Sequence, residues 1–164
     1  MTFAQNKKLN SNIIISKIPD FEYGFIWEDP ISGHRVGCLD ASRKEDVEKL
    51  MKGEKAILAI HDPPYNVDIN DEFGNLPLDE YIAWCEKWVD NTIDILNRDA
   101  SFYIWLGADI RNDLQPLPDF IIMMRKKPIK IRNFITMRNQ RGYGTQKNWM
   151  AVRQELLYYI KGNP

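Results

Sequence analysis

Ala56-Ile57-Leu58-Ala59-Ile60-His61-Asp62-Pro63-Pro64-Tyr65 is the stretch on which the fold turns. Its first five residues form a continuous apolar run of the kind buried on both faces of a parallel sheet. Two successive prolines then end it, because each lacks an N–H and has its φ fixed by the ring. The strand stops at a rigid loop, and in open α/β sheets ligands bind outside the carboxyl ends of strands. The loop carries one carboxylate, carbonyls that no ladder can use, and an aromatic ring. That set suits an exocyclic amino group on a flat base, with acceptors for both N–H bonds and a surface for the ring.

Outward from this junction, strands and helices alternate. On the N-terminal side, Asn12–Lys17 reads as a strand, Phe25-Ile26-Trp27 and Ile31 flank a turn at Asp29-Pro30, and Arg35–Leu39 is a short strand. Ser42 and Glu45 have the spacing of a capping box for a helix running to Lys52, with Gly53 as its stop. On the C-terminal side, Asp68–Pro77 is polar and turn-rich. Leu78, Ile82, Cys85, Trp88 or Val89, Thr92 and Leu96 then recur at helical spacing, predicting an amphipathic helix of about 18 residues. Ser101–Leu106 is a buried strand, Ala108–Asn112 begins a helical segment that Gln115-Pro116-Leu117-Pro118 interrupts and Ile121–Arg125 completes, and Ile129–Met137 is a strand. Arg138–Lys147 reads as a loop and Gln154–Ile160 as the last strand. Alternation early and neighbouring strands late predict an α/β fold with antiparallel strands at one edge.

A chain of 164 residues can bury the core of a single domain. Cys38 and Cys85 have no metal-ligand spacing, and two lone thiols suit a reducing compartment. No apolar run approaches membrane-spanning length and Met1–Lys8 has no signal-peptide character, so the expected setting is the cytoplasm. The net charge of −1 hides an asymmetry. Between Ile121 and Gln154 there is no acidic residue, while Arg125, Lys126, Lys127, Lys130, Arg132, Arg138, Arg141, Lys147 and Arg153 fall there. Two readings stand for this block: a surface facing a polyanion, or cations that pair with the acidic half in three dimensions.

Asp62-Pro63-Pro64-Tyr65 resembles the catalytic loop of the S-adenosylmethionine-dependent amino methyltransferases that make N6-methyladenine or N4-methylcytosine in DNA. Asn66-Val67, the short Gly37-Cys38-Leu39-Asp40-Ala41 segment and the Asn148–Lys161 stretch fit the same family pattern, with Arg153-Gln154 where a His is usual. The resemblance covers roughly residues 34–161, and the tetrapeptide is its specific part. The family's Phe-x-Gly-x-Gly cofactor loop is missing; the nearest cluster, Arg141-Gly142-Tyr143-Gly144-Thr145, lacks the strand–loop–helix context. The chain is similar to the front half of a circularly permuted member. The expected fold is therefore α/β, a mostly parallel Rossmann-like methyltransferase sheet with antiparallel edge strands, incomplete. Residues 1–33 form an N-terminal extension and 34–164 the catalytic half of the domain, ending before the glycine loop.

The resemblance implies methyl transfer from S-adenosylmethionine to the amino group of a flipped base, adenine N6 ahead of cytosine N4, in restriction–modification, phage or regulatory settings. It implies Asp62, Pro63, Pro64 and Tyr65 as catalytic residues, with Asp62 and the Pro63 carbonyl holding the amino group and Tyr65 stacking on the base. Asp62 and Asp40 would contact the cofactor, although Asp40 also reads as an ordinary strand-to-helix turn residue. Trp149 is either the second wall of the base pocket or core, and His61 reads as a packing or locally bonded residue. Arg138, Arg141 and Lys147 are phosphate candidates on double-stranded DNA, beside glycines 142 and 144 that permit close approach. No metal is implied. A homodimer or a complementing chain with the glycine loop is the expected partner. The same chemistry on RNA and a non-catalytic nucleic-acid-binding subunit are the alternatives.

Overall fold

A computed structural model describes residues 22–66, 76–109, 113–143 and 151–164; at 108–109, 139–143 and 151–152 it describes the backbone alone. The chain divides into two units, Met1–Leu39 and Asp40–Pro164. In the first, β1 (Ile26–Glu28) pairs antiparallel with β2 (Arg35–Gly37). Asp29 organises the turn between them, its carboxylate accepting from the Ser32 N–H at 3.0 Å, while Gly33 takes a positive φ of 72°. The predicted turn at Asp29-Pro30 is thus a hairpin held by an Asx-type bond. The predicted strand Asn12–Lys17 lies outside the described residues.

The second unit begins with helix α1 (Lys44–Met51), followed by β3 (Ala56–His61), α2 (Leu78–Ile95) and β4 (Leu96–Trp105). Short strands β5 (Ala108–Asp109) and β6 (Gln115–Pro116) pair with each other, then α3 (Leu117–Met124), β7 (Lys130–Tyr143) and β8 (Ala151–Lys161) complete it. The main sheet has the order β3-β4-β8-β7. β3 runs parallel to β4, and β8 is antiparallel to both β4 and β7. The α/β class with antiparallel strands gathered on one side agrees with the sequence expectation.

One face of the sheet carries the core. Ala100, Phe102 and Ile104 of β4, with Leu157 and Tyr159 of β8, pack with Cys85, Trp88, Val89 and Ile93 of α2 and Phe120 and Met124 of α3. Each large side chain buried there contributes roughly 1.5–3 kcal/mol. Burial also pushes the Cys85 thiol up to about 12. The helix predicted from the spacing of Leu78 to Leu96 is α2, and its end is closed from the far side of the chain. Lys161 Nζ donates to the carbonyls of Ile93 and Leu96 at 2.8 and 3.0 Å, a cation on the negative end of the helix.

Four local expectations are corrected. Ser42 and Glu45 make no capping box: the Asp40 carboxylate takes the Ser42 N–H at 2.8 Å, Asp46 takes the Asp40 N–H at 3.0 Å, and Glu45 pairs with Arg43. The shorter Asp side chain, two residues before Ser42, reaches the turn first. Ala108 does not start a helix but pairs with Pro116, because Pro116 and Pro118 confine helix formation to the residues from Leu117 on. Arg138 is not in a loop; β7 runs to Tyr143 because its ladder with β8 continues past the rest of the sheet. Lastly, β3 is not buried on both faces, since Ile57, Leu58 and Ile60 are 70%, 49% and 63% exposed.

Gly162 follows β8 with φ 67°, and a Cβ there would collide with the Arg98 carbonyl and the Asp99 carboxylate. Gly162→Ala is expected to lower unfolding stability by about 1–3 kcal/mol, measured by urea denaturation.

Candidate active site

Period-two alternation sets the direction of every group at the end of β3. Ala59 and His61 point to the helix-covered face, opposite Phe102 and Ile104. His61 stacks on Trp88 with centroids 5.2 Å apart and meets Phe102 edge-on at 5.0 Å. The Thr92 hydroxyl donates to the Trp88 carbonyl at 2.7 Å, so its oxygen is the acceptor for His61 Nε2–H at 3.3 Å. Burial lowers the His61 pKa to about 4, so the ring is neutral. The local packing role expected for His61 is the observed one.

With His61 turned inward, Asp62 is exposed. The Tyr65 hydroxyl donates to Asp62 Oδ1 at 2.7 Å. Burial first, and the Asp62 carboxylate second, raise the Tyr65 pKa above the ordinary tyrosine value, so this proton stays in place. The Tyr81 hydroxyl, from the first turns of α2, donates to the Pro64 carbonyl at 2.6 Å. No described donor reaches the Pro63 carbonyl. The loop therefore holds one carbonyl satisfied and leaves its neighbour available beside a carboxylate. Asn66, at φ 56°, closes the segment: its amide donates to the Leu76 carbonyl and accepts the Leu76 N–H, each at 2.9 Å.

Gly107, just beyond β4, is a site residue that sequence reading missed. A Cβ there would stand 2.8 Å from Tyr65 Cδ2. The absence of a side chain is what lets the tyrosine ring lie against the end of the neighbouring strand. Leu106-Gly107 carries no motif, so only the pairing of β3 with β4 brings this glycine under the ring.

The other predicted residues are distributed differently. Asp40 lies at the turn before α1 with its carboxylate engaged by the Ser42 N–H. Arg138 is exposed on β7, and Arg141 lies in the same strand. Lys147 and Trp149 lie outside the described residues. The basic block is divided: Lys127 is 9% exposed in its side chain and bridges Glu86 and Asp90 of α2 at 2.8 and 2.7 Å. That cation does pair with the acidic half of the chain.

Comparison with known proteins places this site in a family. The family model described as DNA methylase, of the N6/N4 amino-methylating type, matches residues 57–164, more than half of the chain. The chain belongs to that family. Among curated proteins it is similar to the type II methyltransferase M.ScaI of Streptomyces caespitosus, 24% identical over 63% of this chain and 34% of that protein. It is also similar to type II methyltransferase M1.MboII of Moraxella bovis, 23% identical over 77% of this chain and 44% of that protein. The chain thus spans less than half the length of these relatives. Among solved structures, M1.HpyAVI aligns with TM-score 0.50 and 14% identity over 75% of this chain and 53% of that one. The cytosine-N4-specific PvuII DNA methyltransferase aligns with TM-score 0.52 and 16% identity over 68% and 45%. These likenesses are of fold, a Rossmann-like methyltransferase sheet. No described helix is long and apolar enough to cross a membrane.

Two outcomes are expected. Because His61 is held neutral with a pKa below its free value of 6.5, the unfolded chain binds the extra proton. Stability is complete above about pH 6.5 and declines as pH falls toward about 4, by roughly 3 kcal/mol at most. His61→Phe should flatten that part of the pH–stability curve. Gly107→Ala should displace the Tyr65 ring with little effect on unfolding stability, read as a change in Tyr65 ring chemical shifts with an unchanged denaturation midpoint.

Proposed function

We propose that this chain is the amino-group-holding half of a DNA methyltransferase that acts on adenine N6. The observation that carries this is the pairing, at the end of β3, of the exposed Asp62 carboxylate with a Pro63 carbonyl that no described group engages. An exocyclic amine is a poor nucleophile because its lone pair is delocalised into the ring. Asp62 and the Pro63 carbonyl accept its two N–H bonds, which favours the pyramidal nitrogen and leaves electron density there. Tyr65 stacks on the flipped base at ~1–3 kcal/mol. In doing so it keeps Asp62 oriented through its hydroxyl. Tyr81 holds the Pro-Pro turn rigid from behind, so the acceptors need little reorganisation during reaction.

S-adenosylmethionine, when bound, supplies the electrophilic methyl group. The residues present fit one wall of its site: Asp62 stands at the carboxyl end of β3, which among the described residues has no strand on its outer side. They lack the glycine-rich wall. Asp40, held at the α1 turn, is assigned to the cofactor's far end. On this reading residues 34–164 are the catalytic half and 1–33 an extension. Completion comes from a segment that adds a strand parallel to β3, so that a loop at its carboxyl end meets Asp62. The apolar exposure of Leu58 and Ile60 supports a further layer from that segment on the bare face of β3, since parallel strands are covered on both faces. A two-fold homodimer joined through β3 would pair the strands antiparallel and carry the two Asp62 loops to opposite ends, so a complementing chain is favoured. Arg138, Arg141 and Lys147 are assigned to the phosphates of double-stranded DNA, and Trp149 to the second wall of the base pocket. A bacterial restriction–modification setting, in the cytoplasm, goes with this reading.

Asp62→Ala in the completed enzyme should cut methyl transfer to a duplex by at least ~10²-fold while leaving duplex affinity largely intact; preserved turnover would overturn the assignment. Calorimetry with S-adenosylmethionine should give no measurable binding to the isolated chain. It should give binding after complementation.

A further inference from the structure

The β7–β8 ribbon carries a feature that the methyl-transfer chemistry does not use. β4 accompanies β8 as far as the Trp105–Leu156 pair, and the Leu106 N–H just beyond it donates to the Glu155 carbonyl at 3.2 Å, whereas β7 and β8 continue together through Met137–Gln154 and Arg138–Arg153. Past Glu155 the sheet is, among the described residues, a two-stranded ribbon that ends in a register irregularity between Arg138 and Tyr143. Such a ribbon is narrow enough to enter the major groove of duplex DNA.

Arg138 and Arg153 stand directly opposite each other on it. Cross-strand neighbours share a face, and like charges in that position destabilise the pair. Their surroundings do not cancel the repulsion. Glu155, two residues along the same face, is 5% exposed and accepts from Arg153 Nε at 2.9 Å and from the Thr136 hydroxyl at 2.9 Å. No described carboxylate pairs with Arg138. Among the described residues the result is two arginines against one carboxylate, with the Arg153 side chain still 68% exposed. A buried acid that grips the inner nitrogen of an exposed guanidinium orients that group and leaves the site with excess positive charge.

We infer that Arg138 and Arg153 form a two-armed phosphate clamp for the backbone of duplex DNA, with Glu155 and Thr136 as positioning residues that set the angle of Arg153. The inference rests on the nucleic-acid reading above and extends it to a residue outside the predicted DNA contacts. It also changes the element: the contact is made by a stiff β-ribbon instead of a loop. The phosphate fills the place of the missing counter-charge and relieves the arginine–arginine repulsion. The clamp positions the duplex and carries no sequence information itself.

Fluorescence anisotropy of the isolated chain with a labelled duplex of about 20 base pairs, titrated with salt, tests this. Arg138→Ala and Arg153→Ala should each reduce the slope of log affinity against log salt by about 1, and the double variant by about 2. Arg153→Lys keeps the charge but loses the Nε grip of Glu155, so the slope should hold while affinity falls about three- to tenfold. Lys87→Ala on α2 is the control and should alter neither. Circular dichroism confirms that each variant is folded. A double variant with the wild-type slope, or a wild-type chain that fails to bind the duplex in low salt, overturns the clamp. Arg153→Lys binding as the wild type overturns the positioning role of Glu155, and tighter binding of an RNA duplex overturns the DNA assignment. None of these readings depends on methyl transfer, so they stand apart from the outcome of the Asp62→Ala test.

Discussion

The enclosure of His61 by Trp88, Phe102 and Thr92 is the contact on which the site depends. A strand residue held inward forces the next one outward, so anchoring His61 on α2 aims Asp62 at solvent. The same helix supplies Tyr81 to the Pro64 carbonyl. One amphipathic helix therefore fixes both the end of the strand and the turn that follows it. Burial keeps the His61 ring neutral, which avoids the cost of a charge among aromatic rings.

Around this anchor, the loop is arranged so that its polar groups are unequally used. The Pro64 carbonyl is occupied from the protein side, and the Pro63 carbonyl is not occupied by any described group. Tyr65 is both a ring and a donor, resting against Gly107 and bonded to Asp62. A glycine with no motif around it thus limits where the aromatic ring can lie, and the ring in turn holds the carboxylate. This is how a rigid scaffold can present an orienting acceptor pair without large rearrangement.

The charge distribution follows a similar division. Lys127 turns back to the acidic face of α2 and is nearly enclosed there. Further along, β7 and β8 continue as a ribbon, and Glu155 is the carboxylate that pairs with Arg153 among the described residues. A linear run of cations is therefore two populations in three dimensions. The apolar side of β3 is also unequal to its counterpart. Its covered face lies under α2, while Leu58 and Ile60 are exposed. Parallel strands with one bare apolar face call for a second layer.

Much was legible without coordinates, because it depended on local chemistry. The stop at Pro63-Pro64 requires only the missing N–H groups, and the α2 spacing requires only a helical period. The hairpin at Asp29 likewise follows from Asx bonding, and the family resemblance rested on four adjacent residues. Four features needed the tertiary structure. Whether β3 is covered on both faces depends on which layers are present beside it. The continuation of β7 through Arg138 depends on a partner strand from residues 151–161. Gly107 meets Tyr65 only through the parallel β3–β4 register. The Arg138–Arg153 pair is a matter of cross-strand register as well. The sequence by itself determined the Asp-Pro-Pro-Tyr turn at the end of β3 and the α/β class, since proline geometry and hydrophobic period act within a few residues. Only the tertiary structure decided which groups that loop leaves available and where the cations face, because both depend on contacts between segments far apart in the chain.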